Sequence, residues 1–140
     1  MKKIIKGKQL CESFFNDVVK KIMEIGIDVP FLSIMTPFKG TPIYNSLKQK
    51  DRILDDKGWE FYNGYNVAFK PEKITPDELL NSHRNLWKKT FSFNYSIRRI
   101  YQSIKNLSLG SIYLSVFMNI FYMTKRIRKN YPINMNHHEI

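Results

Sequence analysis

The stretch Phe31-Leu32-Ser33-Ile34-Met35-Thr36-Pro37-Phe38-Lys39-Gly40-Thr41-Pro42-Ile43-Tyr44 restricts the fold of this chain more than any other. Its beginning, Val29–Met35, is a short and nearly continuous apolar run, the pattern of a strand buried on both faces of a parallel sheet. Thr36–Thr41 is then a loop shaped by Pro37 and Gly40. Thr41 caps the following helix, with Pro42 at its first position, where a missing N–H costs nothing. Strand, loop and helix in that order place the loop at the carboxyl end of a strand, where α/β folds bind their ligands.

Local patterns extend this reading in both directions. Leu10, Phe14, Val18, Ile22 and Ile25, widened by Phe15 and Val19, form an amphipathic helix stopped by Gly26. Ile43–Lys50 is a short helix, and 51–64 is irregular, with a turn at Asp55-Asp56-Lys57-Gly58. Tyr65, Val67 and Phe69 alternate with Asn66, Ala68 and Lys70 as in a short strand ended by Pro71. Thr75-Pro76-Asp77-Glu78 is a capping box, followed by the apolar face Leu79, Leu80, His83, Leu86 and Trp87. A further helix opens at Asn94 and carries Ile97, Ile100, Tyr101 and Ile104. The division expected is 1–71, α/β in pattern, and 72–140, helical.

Charge divides the chain nearby. Residues 1–78 hold 13 Lys+Arg against 11 Asp+Glu, whereas 79–140 hold 10 against a single acid, Glu139. A net of +9 in the second part calls for an acidic partner: a membrane surface, a nucleic acid or another part of the same protein. The candidate contacts are Arg98, Arg99, Lys125, Arg126, Arg128 and Lys129. No nucleic-acid-binding motif accompanies them, which makes that branch the weakest. Leu107–Met123 is uncharged over 17 residues, short of the roughly 20 apolar residues of a spanning helix. Its aromatics and basic flank suit a buried helix or one lying in a membrane interface. The basic start, Met1–Lys8, lacks the apolar core of an export signal, and a lone cysteine suits a reducing cytoplasm. The expected location is therefore cytoplasmic, with peripheral attachment at the inner face of the membrane.

The sequence Thr36-Pro37-Phe38-Lys39-Gly40-Thr41-Pro42, then Arg52-Ile53-Leu54, Trp59, Tyr62, Gly64, Val67, Phe69 and Pro71, resembles the C-terminal end of cobalamin-binding radical SAM enzymes. The resemblance covers about residues 12–100. It departs from the family at Lys39, where a second proline is usual. It implies an α+β fold: the end of a radical SAM (β/α) barrel, helix–strand–helix, followed by a mainly α-helical extension. For the complete enzyme it implies S-adenosylmethionine, a 4Fe-4S cluster and cobalamin as cofactors. The partner it implies is a missing N-terminal radical SAM portion, in the same chain or a separate one. Thr36, Pro37, Phe38, Gly40 and Thr41 then become candidates for contact with S-adenosylmethionine or substrate; otherwise they are a rigid connector.

This chain alone lacks the catalytic motif. Cluster binding needs a cysteine triplet, and the only cysteine is Cys11. The Asp-x-His-x-x-Gly pattern of cobalamin binding is absent too. Chain and cofactor considered together, the expectation is a C-terminal fragment inactive by itself, with no cofactor of its own. The alternative is a stand-alone basic helical module on an anionic surface. Cys11 and His83 suit buried packing positions. His137 and His138, adjacent in a polar tail, diverge and make a poor metal site. Asp55-Asp56 and Asp77-Glu78 suit turn and helix-start roles rather than an acid/base pair. No catalytic or metal-binding residue is assigned.

Overall fold

The computed structural model describes residues 2–54 and 58–128, and the side chains of 13–54, 58–59 and 61–128. Its elements are α1 (Lys2–Ile25), α2 (Pro42–Gln49), a 3-10 turn (Trp59–Phe61), α3 (Pro76–Thr90), α4 (Phe93–Asn106) and α5 (Leu109–Ile127). Gly26, at φ +78°, ends α1, and the Ile27 N–H donates back to the Ile22 carbonyl at 3.1 Å, closing the last turn in a Schellman motif. The capping box at Thr75 forms in both directions: its N–H donates to Glu78 Oε2 at 2.9 Å, and the Glu78 N–H donates to Thr75 Oγ1 at 3.2 Å.

The expected α+β fold is overturned, because no strand is present among the described residues. The Val29–Met35 run belongs to no ladder. A strand exists only through its neighbours, and here Pro30 has no N–H to give. Nor is the run buried on two faces: Ile34 is 6% exposed, whereas Phe31 is 74% and Met35 45% exposed. The Tyr65–Phe69 alternation fails for a different reason. Asn66, Val67, Ala68 and Phe69 are all buried in succession, so alternation in sequence did not correspond to alternation of faces. What pairs there is one antiparallel bridge, Ile53 with Phe69. It is flanked by Leu54 N–H to the Ala68 carbonyl at 3.1 Å and Lys70 N–H to the Arg52 carbonyl at 2.7 Å. The described residues therefore do not form a barrel remnant.

Contacts divide the molecule into two compact units. The first is built around Ser33–His83. Its core gathers Ile34, Tyr44, Leu47, Ile53, Val67, Phe69 and Leu80, with Leu79 packed against it. A smaller cluster joins Phe61, Tyr62 and Ala68. His83 is buried, its ring centroid 6.3 Å from that of Tyr65.

The second unit is built from Glu12–Leu32 and from Arg84 onward through α5. Val19, Ile22 and Met23 of α1 are buried. Phe91 stacks on Tyr122 with centroids 4.6 Å apart and meets Trp87 in a tilted arrangement at 5.1 Å. Helices α4 and α5 pack as an antiparallel hairpin through Leu107-Ser108. Their buried positions are polar: Ser96, Arg99 and Ser103 on α4, Ser115 and Asn119 on α5. The apolar row of α4 faces outward, with Ile97 48%, Tyr101 57% and Ile104 56% exposed.

Candidate functional site

The loop Thr36–Thr41 is a compact, self-bonded knuckle in the first unit. Thr36 Oγ1 donates to the Ile34 carbonyl at 3.1 Å, and the Phe38 N–H donates to the Thr36 carbonyl at 3.1 Å. Thr41 closes the other end. Its hydroxyl donates to the Phe38 carbonyl at 2.6 Å and accepts the Tyr44 N–H at 3.3 Å, capping α2. Gly40 turns at φ +87°, a conformation that side chains resist. Pro37 is buried, while Phe38 is about half exposed.

Residues distant in sequence meet this knuckle. The Ile34 N–H donates to the Gly64 carbonyl at 2.6 Å. Gly64 itself sits at φ +81°, and a Cβ there would come within 3.3 Å of Ser33 Cβ and 4.0 Å of Thr36 Oγ1. Lys39 Nζ lies 5.7 Å from the centre of the Trp59 ring. Arg52 Nε donates to the Lys70 carbonyl at 2.7 Å and its guanidinium pairs with Glu72. The motif residues Thr36–Thr41, Arg52, Ile53, Trp59, Gly64 and Phe69 thus share one unit. Both loop hydroxyls are engaged within the chain, and the side chains of Phe38, Lys39 and Trp59 are exposed beside them.

The basic candidates separate. Arg98 is exposed, as is Arg128. Lys125 Nζ sits 5.1 Å above the Phe121 ring. Arg126 is turned inward, its Nε donating to the Lys88 carbonyl at 2.9 Å. Arg99, expected at the surface, is 1% exposed. It donates to Asn119 Oδ1 at 2.9 Å, to the Thr90 carbonyl at 2.8 Å and to Ser96 Oγ at 3.4 Å, and lies over the Phe91 ring at 5.3 Å. Burial lowers its pKa from the ordinary arginine range to about 10, which leaves it charged at neutral pH. Lys129, His137, His138, Asp55 and Asp56 lie outside the described residues, and so does the side chain of Cys11.

Sequence patterns missed the network around Arg99. Ser103 Oγ meets Ser115 Oγ at 2.7 Å and donates to the Asp28 carboxylate, while Asn119 Nδ2 donates to the Asp28 carbonyl at 2.9 Å. Its signal in the sequence is the recurrence of Ser96, Arg99 and Ser103 at helical spacing, a polar row alongside the apolar one. Among the described residues no three His, Cys, Asp or Glu side chains group as a metal site. No helix of the described residues is long and apolar enough to cross a membrane.

No family model and no solved structure matches the chain. Over 89 residues it is 29% identical to the bacteriochlorophyllide d C-12(1)-methyltransferase of Chlorobaculum tepidum. That stretch is 64% of this chain but 19% of the relative. The chain spans about a fifth of the length of the curated relative it matches.

Proposed function

We propose that this chain is the C-terminal part of a radical SAM enzyme of the cobalamin-binding kind, and that the complete enzyme is a methyltransferase. The observation that carries this is the 29% identity over 89 residues to a bacteriochlorophyllide methyltransferase. The motif of Thr36–Thr41, Arg52, Trp59 and Gly64 points to the same enzymes. Cys11 supplies one thiolate where a 4Fe-4S cluster needs several. These residues do not fit a cluster, so the cluster and cobalamin are assigned to the remaining, N-terminal portion. The share of this chain is structural and positional. Thr36, Pro37, Phe38, Gly40 and Thr41 face S-adenosylmethionine or substrate through backbone groups and the Phe38 ring. The complete enzyme works in the cytoplasm.

A chimera tests the proposal. The chain replaces the segment it aligns with in the Chlorobaculum enzyme, and methyl transfer is assayed under anaerobic conditions. Retained turnover supports the reading, and Phe38→Ala in that chimera should lower turnover several-fold. A folded, cluster-loaded chimera without turnover would overturn it.

A further inference from the structure

We infer that the outer faces of α4 and α5 dock on an anionic lipid bilayer, lying along its headgroup region. The hairpin is inverted relative to an ordinary soluble helix pair. Its buried seam is made of Ser96, Arg99, Ser103, Ser115 and Asn119, closed by the hydrogen bonds described above. Its outer surface is apolar: Leu109 is 87% exposed, Tyr113 76%, Leu114 60% and Phe117 55%, continued by Ile120 and Phe121. Contiguous exposed apolar surface marks a place where something binds.

The charges around this surface identify the occupant. Tyr113, Phe117 and Phe121 lie one turn apart on α5, and Lys125 and Arg128 continue the same row. On α4, Arg98 and Lys105 border Tyr101 at spacings of three and four residues. Lys105 Nζ stands 4.4 Å above the Tyr101 ring, as Lys125 does above Phe121. An apolar stripe with amphipathic cations at its margin is the composition of an interfacial helix: the rings enter the acyl boundary and the ammonium groups remain with lipid phosphates. Residues 79–138 contain no Asp or Glu, so the same face of a second copy would meet it with like charge. A duplex nucleic acid would match the cations but leave the aliphatic rows uncovered. Neither helix is fit to span, which leaves attachment along the surface.

The test uses the full chain with phosphatidylcholine vesicles, with and without phosphatidylglycerol, in co-sedimentation at low and high salt. Binding should be at least about tenfold tighter to the anionic vesicles, given several cations at the margin, and should weaken as salt rises. Leu114→Glu with Phe117→Glu alters exposed positions and should abolish binding with the helical circular dichroism retained. Lys105→Glu with Lys125→Glu should remove the anionic preference, and serves as the independent variant should the first lose its fold. Equal binding to both vesicle types would overturn the inference, as would binding to neither. So would a dimer in sedimentation velocity that Phe117→Glu dissolves while vesicles go unbound.

Discussion

Arg99 holds a buried charge with neutral partners, and its removal separates two effects. A methionine there would fill much of the volume and end the desolvation cost, but would leave Asn119 Oδ1 and the Thr90 carbonyl without their donor. Hydrogen bonds to a charged group contribute about 1.5–3 kcal/mol each, so Arg99→Met should destabilise the chain by about 2–4 kcal/mol in urea unfolding. The pH dependence has a definite sign. Burial lowers Arg99 from the ordinary arginine range to about 10, so the unfolded chain binds more protons than the folded one only around and above that lowered value. The Arg99 contribution to stability therefore rises with pH through that window and is flat below it. The penalty of Arg99→Met should accordingly be constant from about pH 6 to 9, measured as denaturant midpoints of both chains. Gly64→Ala probes the other unit. A positive φ and a Cβ 3.3 Å from Ser33 Cβ predict a loss of about 1–2 kcal/mol and faster proteolysis at Thr36–Thr41. Residues 51–64 were legible only as irregular, and nothing local at Gly64 announced its approach to Ser33. The burial of Arg99 was equally hidden, since a charge in a list is read as surface until its neighbours are known.

Helices ended where their own residues told them to. Gly26, Thr41-Pro42 and Thr75-Pro76 are stop and start signals acting within one turn, and α1, α2 and α3 begin or end beside them. Thr41→Ala removes the hydroxyl that accepts the Tyr44 N–H. Thr75→Ala removes the one that accepts the Glu78 N–H. Each should cost about 1 kcal/mol, read as a lower thermal midpoint by circular dichroism. Thr41→Ala should also loosen the knuckle, because the same hydroxyl holds the Phe38 carbonyl. Strands were the opposite case. Val29–Met35 has the composition of a buried strand, but β structure is decided by partners elsewhere in the chain. What this segment meets is the Gly64 carbonyl rather than a neighbouring strand. The α4 row was visible as a helix, yet its direction was not. The polar positions Ser96, Arg99 and Ser103 won the interior because Asp28 and Asn119 satisfy them.

At the scale of the molecule, the architecture of the described residues is helical rather than α/β. A single thiol predicts the outcome of anaerobic iron–sulfur reconstitution: no stoichiometric 4Fe-4S absorbance and no 5′-deoxyadenosine from this chain alone. Absorption spectra and product chromatography check it. The polar seam of the second unit also sets an order of events in time. Ser103 with Ser115 and Arg99 with Asn119 join positions 12 and 20 residues apart, whereas Asp28 reaches Ser103 and Asn119 across 75 and 91. Closing the shorter loops costs less chain entropy, and contacts near in sequence form sooner. The α4–α5 hairpin should therefore gain amide protection first during refolding, and the Asp28 segment that follows α1 should be captured afterwards by a seam already in register. Pulsed hydrogen exchange would follow that sequence: the Asp28 end of the seam is the latch that closes last, and in native exchange it should open first.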